Sequence, residues 1–147
     1  MFPDLAVGLA ALVVSVLTHA AATGVIVILV ARLLKSGYAG RHFGKNVVVV
    51  LLTTLIATAA HLAQVAIWAG AFLACGEFAG FDDAFYHSAV NYSSLGYGDI
   101  VMSRRWRLLG PLEAMNGILL FGISTALMFA VISRLIEHRL RHGPEQG

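Results

Sequence analysis

Residues 93–100 read SSLGYGDI, with Gly96 and Gly98 two positions apart. Glycine at alternate positions lets a backbone take positive φ without a Cβ clash. An alternation of left- and right-handed residues turns successive carbonyl oxygens to the same side. Four such strands around an axis would stack rings of oxygen, and such rings can replace the water shell of a dehydrated cation. That chemistry needs no nucleophile and no covalent step. One chain supplies one strand, so it demands an assembly of four.

The surroundings suit this use. Of the 147 residues, 59% are hydrophobic and 12% charged, with mean hydropathy +0.81; soluble domains carry about 25% charged residues. Three stretches, about residues 5–34, 47–75 and 108–136, reach the roughly 20 apolar residues that a bilayer core requires. MFPD at the N-terminus lacks the positive charge of a signal peptide. The expected fold is an all-α membrane protein of three transmembrane helices, with a re-entrant helix and the glycine stretch between the second and third. Irregular backbone at membrane depth survives only where protein surrounds it or its polar groups face water or ions.

Between the second and third spans, GFDDAFYHSAVNYS is too short to cross. Asp82 is expected to cap a helix over residues 83–93, with Asp83 favoured in its first turn by the helix dipole. Arg32, Lys35, Arg41 and Lys45 follow the first span, and Arg134, Arg139 and Arg141 end the third. Those charges place both regions on the cytoplasmic side and the N-terminus outside. Arg104, Arg105 and Arg107 in the outer connection count against this orientation without outvoting it. SRRWR there is either an outer rim that repels cations or an interfacial anchor built on Trp106. Ten scattered Lys and Arg make no basic block for nucleic acid, and the lone Cys75 allows no intrachain disulfide.

SLGYGD resembles the selectivity filter of the potassium-channel pore-loop family, usually T-V-G-Y-G-D, over roughly residues 80–136. The resemblance implies K+ held by the carbonyls of Ser94, Leu95, Gly96 and Tyr97, with the Ser94 hydroxyl adding an inner oxygen. It makes Gly98 the outer turn and sets Asp99 behind the mouth. The Tyr97 ring should point off the axis and pack on pore-helix aromatics. Tyr86, His87, Val90 and Asn91 would support the filter, and Tyr86 is expected to offer its hydroxyl to Asp99. Two departures stand out. Ser94 replaces threonine, losing a methyl that stiffens χ1, and Val90 stands where some bacterial members have a glutamate.

On the last helix the resemblance makes Gly117 a hinge, with close small-residue packing the competing reading for Gly117 and Gly122. Ile118, Phe121, Thr125, Phe129 and Ser133 share one helical face, which by resemblance lines the cavity, with Phe129 a dewetting gate or an ordinary packing residue. Glu113 and Asn116 are expected to brace the pore helix. His19 and His61, each near the middle of a span, either hydrogen-bond between helices as neutral imidazoles or serve a function, binding haem or a metal or relaying protons.

The expected organisation is residues 1–46 for the first helix and its loop, 47–138 for the pore domain and 139–147 for a short cytoplasmic tail. The function implied is passive potassium conduction in a homotetramer among membrane lipids, with no enzyme activity, no cofactor beyond the permeant K+ and no nucleic-acid partner. A non-selective monovalent cation channel is the nearest alternative, and a haem or metal-binding subunit a more distant one.

Overall fold

A helix apolar on every side suits lipid better than water, and in lipid each backbone polar group has to be satisfied within the chain. The computed structural model answers both demands with helices; it describes residues 2–40 and 42–142. Four helices follow in order: α1 (Phe2–Lys35), α2 (Phe43–Ala74), α3 (Phe81–Tyr92) and α4 (Leu109–His142). Three stretches of them, Asp4–Lys35, Phe43–Ala74 and Leu109–Arg141, are long and apolar enough to cross a membrane. At 1.5 Å per residue the 32 residues of α2 extend about 48 Å, beyond the roughly 30 Å hydrocarbon core. This is a multi-pass, all-helical membrane protein.

The helices outrun their expected ends. α2 begins at Phe43 rather than at 47, which trims the polar connector, and α4 continues to His142. Residues 139–142, expected as tail, are therefore helical, while Arg41 and residues 143–147 lie outside the described residues. Large side chains such as Leu17, Leu51 and Leu55 are more than half exposed along α1 and α2. Hydroxyls inside the spans turn back onto their own helix: Thr18 donates to the Val14 carbonyl at 2.8 Å and Thr58 to that of Thr54 at 2.9 Å. Such bonds keep a polar side chain satisfied without a partner helix.

The chain divides into two units. The first comprises residues 1–19 and 60–122, and its core gathers Trp68 and Phe72 of α2, Tyr92 of α3, Ala11 of α1 and Leu109 of α4. The second comprises residues 20–59 and 123–147, and packs Ile26 and Val30 of α1 with Val49 and Ala57 of α2 and Val131 and Leu135 of α4. The glycine stretch belongs to the first unit.

Candidate functional site

α3 starts two residues earlier than the sequence suggests. Its N-cap is Gly80, in extended conformation with no side-chain cap bond, and not Asp82. Both Asp82 and Asp83 then fall in the first turn, where their charge meets the helix dipole without having to cap it. The buried face of α3 carries Ala84, His87, Ser88, Val90 and Tyr92.

Three buried residues, Ser88, His87 and Tyr92, hold that face. Ser88 Oγ stands 2.8 Å from the Val65 carbonyl oxygen of α2 and 2.5 Å from Glu113 Oε1 of α4, so Glu113 braces α3 as expected. The His87 ring lies 5.4 Å from that of Phe72 and 5.1 Å from that of Phe78, and its Nε2 accepts from Asn91 Nδ2 at 2.9 Å. Burial pushes the His87 imidazole below its usual range. At the last residue of α3, the Tyr92 hydroxyl donates to Gln64 Oε1 and lies 2.9 Å from His61 Nδ1.

Gln64 is the link that the sequence reading passed over. Its Nε2 donates to His19 Nδ1 at 3.1 Å, so α1, α2 and α3 share one buried polar chain. A single direction of donation runs through it, from His61 to Tyr92 to Gln64 to His19, and both rings can be neutral. The two imidazoles lie 5.3 Å apart between centroids, in the interhelical arrangement expected on the plainer of their two readings.

The end of α3 is also the start of the glycine stretch. Ser94 N–H donates to the Asn91 carbonyl at 2.8 Å and Leu95 N–H to that of Val90 at 2.9 Å. Together these are the 5→2 and 6→1 bonds of a Schellman cap, with Ser94 in the left-handed position usually given to glycine. Ser94 has φ +60°, alone among the described non-glycine residues; Gly96 follows at +56° and Gly98 at +74°. The expected alternation is therefore present at 94, 96 and 98. Holding serine at positive φ costs about 1 kcal/mol. Ser94→Gly is accordingly expected to raise unfolding stability by about that amount, read by thermal melting in detergent.

The cap consumes carbonyls at the C-terminal end of α3. Val90 O accepts from both Leu95 and Gly96, and Ala89 O from Ser93. The Tyr92 carbonyl faces Gly117 of α4 so closely that a Cβ there would overlap its oxygen and stand 3.0 Å from its carbon. Gly117 is thus a point of close backbone approach within an unbroken helix, and Gly122, with no atom within 4 Å of a Cβ built there, is not.

Residues 93–99 are exposed on the single chain, and Tyr97 is 67% so. The ring packing expected for Tyr97 is not among the described ring contacts. Behind the stretch, residues Ser94, Gly96 and Gly98 line one side of a cavity of about 440 Å³, with Val90, Asn91 and Gly110 among its other walls. Outside it, the Tyr86 hydroxyl donates to Asp99 Oδ2 at 2.7 Å, the bond expected between them. A second clasp was not foreseen: the Glu77 carboxylate accepts from Ser103 N–H at 2.7 Å and from its hydroxyl at 2.6 Å, tying the end of α2 to the segment after Asp99.

The inner-helix residues separate. In the first unit, Phe121 sits with its ring 4.5 Å from that of His61 and 5.4 Å from that of Tyr92, packing on the polar chain where a cavity-lining role was expected. Ile118 is 59% exposed. In the second unit Phe129 and Thr125 are exposed and Ser133 half-buried.

Compared with known families, residues 48–134, more than half of the chain, match a family model described as Ion channel. The chain belongs to this ion channel family. Neither curated proteins nor solved structures gave a match. The matched region of the channel runs from α2 through α3 and the glycine stretch into α4, which leaves the whole of α1 outside it.

Beside the channel's glycine stretch, the Tyr86–Asp99 bond holds the Asp99 carboxyl below its usual range and raises the Tyr86 hydroxyl above its own. A carboxyl depressed in the folded state contributes stability above its unfolded pKa, and loses it as pH falls through the folded value. In Tyr86→Phe the Asp99 carboxyl protonates at higher pH. Acid loss of ion flux in proteoliposomes is therefore expected to set in at higher pH than in the wild type; coincident profiles would show that the bond has no such role.

Proposed function

We propose that the channel conducts potassium passively through a homotetrameric pore whose filter is the stretch Ser94, Leu95, Gly96, Tyr97, Gly98 and Asp99. The observation that carries this reading is the alternation of positive φ at Ser94, Gly96 and Gly98, in a chain of the ion channel family. A strand of this kind, exposed on the single chain with its first amides tied back to α3, would turn carbonyl oxygens toward an axis shared with three copies. The carbonyls of Ser94, Leu95, Gly96 and Tyr97 would then replace the hydration of K+, while Tyr86, His87, Val90 and Asn91 keep the strand at its radius. Ile118, Thr125, Phe129 and Ser133 remain the proposed cavity face.

Lys and Arg placement supports an external N-terminus and a cytoplasmic C-terminus. Residues 47–138 form the pore-bearing part in this reading, with α1 set outside it.

Rubidium uptake into proteoliposomes tests the proposal. Wild-type uptake is expected to be blocked by barium and to persist against excess sodium. Gly96→Ala is expected to reduce it to below roughly one-hundredth, because an L-residue at this φ costs about 1–2 kcal/mol per chain and four chains share the ring. Nothing lies within 4 Å of a Cβ built at Gly96, so the loss would come from backbone conformation and not from collision. Uptake surviving in Gly96→Ala would refute the assigned filter. The non-selective alternative rests on Ser94, whose freer χ1 loosens the innermost oxygen ring; sodium competing equally with rubidium would favour it.

A further inference from the structure

The second unit contains an apolar groove between α1 and α4, with a volume of about 460 Å³. Val27, Ala31 and Leu34 line it from α1, spaced at helical repeats on one face, and Leu127 lines it from α4. Val30 and Val131, both buried, form its floor. Each stripe ends in a cation at the same end of the groove: Lys35 follows Leu34 on α1, and Arg134 lies one turn beyond Val131 on α4. Both cations are exposed.

The dimensions and charges indicate one kind of occupant. From residue 27 to residue 35 the α1 stripe rises about 12 Å, close to the half-thickness of a hydrocarbon core of about 30 Å. A groove of that length, apolar along its course and doubly positive at its mouth, complements a molecule with a hydrocarbon tail as long as one leaflet and a negative head. Basic pockets between transmembrane helices hold anionic headgroups in this way. We propose that the groove binds one acyl chain of an anionic membrane phospholipid, with its phosphate held between Lys35 and Arg134. The site uses α1, which the family match does not include, and it is independent of which ion the pore passes. It assigns the first helix a role: to complete a lipid site on the inner helix.

Native mass spectrometry of the purified full-length channel, titrated with phosphatidylglycerol or phosphatidylcholine of identical acyl chains, tests this. Phosphatidylglycerol is expected to be retained at one molecule per chain and in preference to phosphatidylcholine. A basic residue near the surface contributes about a fivefold gain in affinity for an anionic lipid, so the double variant Lys35→Gln, Arg134→Gln should weaken phosphatidylglycerol by roughly thirtyfold. Lys35→Arg with Arg134→Lys keeps both charges and should keep the preference. Ala31→Phe keeps the charges and fills the groove at an exposed position, and should lose lipid of both kinds. Equal retention of the two lipids by the wild type would overturn the proposal. So would an unchanged preference in the charge-removing double variant, full retention in Ala31→Phe, or complete displacement of phosphatidylglycerol by inorganic phosphate. A wild-type groove that carries no lipid because a second copy covers it, seen as crosslinks through a cysteine placed at Val27, would overturn it too.

Discussion

Gly117→Ala is expected to abolish rubidium uptake and to lower the yield of assembled channel, while Gly122→Ala leaves both intact. A methyl at Gly117 meets the backbone carbonyl of Tyr92. No rotamer change relieves that collision, so either α3 or α4 has to move. Overpacking in a well-packed core costs about 1–3 kcal/mol, and the rigid obstacle here puts the cost at the upper end, in every chain. Movement of α3 would also carry Ser94, two residues on, out of its place. At Gly122 an added Cβ would meet nothing within 4 Å, and alanine favours a helix by about 1 kcal/mol over glycine, so that variant should be neutral or slightly more stable. Size-exclusion profiles and uptake assays of the two variants decide the matter. A pure hinge role for Gly117 predicts altered opening with assembly untouched; the close approach predicts loss of assembly.

Gln64→Leu is expected to lower unfolding stability by about 2 kcal/mol. Hydrogen bonds between membrane helices contribute about 0.6 kcal/mol on average and up to about 1.7. Gln64 lies within bonding distance of His19 at 3.1 Å, of His61 at 3.2 Å and of the Tyr92 hydroxyl, all inside the first unit. Leucine matches its size and supplies none of these, leaving the buried His19 and Tyr92 and the half-buried His61 to rearrange. Thr58→Val is the control: that hydroxyl bonds only to its own helix and is exposed, so its loss should change stability by less than about 0.5 kcal/mol. Thermal unfolding of the two variants in one detergent measures both. Equal melting temperatures would show that the buried chain contributes little to the fold.

The three spans and the short helix were legible in the sequence because hydrocarbon admits almost nothing but helices for a chain of this composition. Their ends were less so. Helices such as α2 and α4 continue into polar residues at their ends, where hydrogen bonds along the backbone persist and hydropathy no longer marks them. The cap of α3 was misread because two adjacent aspartates signal a helix start without saying which residue precedes it, and Gly80 takes the extended conformation with no side chain to advertise it. The glycine stretch was legible in type, since alternate glycines are costly anywhere else. The positive φ of Ser94 was not, because a Schellman cap is ordinarily recognised by glycine at that position. The partners of His19 and His61 were hidden for another reason. Gln64 and Tyr92 are 45 and 73 residues from His19 along the chain, and their meeting depends on the register of packed helices, which hydropathy does not encode. A polar residue three positions after His61 inside an apolar span was the available signal.

The Schellman cap has a consequence for how the inner end of the glycine stretch can deform. The amides of Ser94 and Leu95 serve two masters: they finish α3 and they set the first oxygens of the strand. Any rearrangement that swings those oxygens away must unmake the last turn of a helix whose side chains are wedged between two spans. The inner end of the stretch is therefore anchored to the scaffold, and pliancy is left to its far half, beyond the last amide that the helix claims.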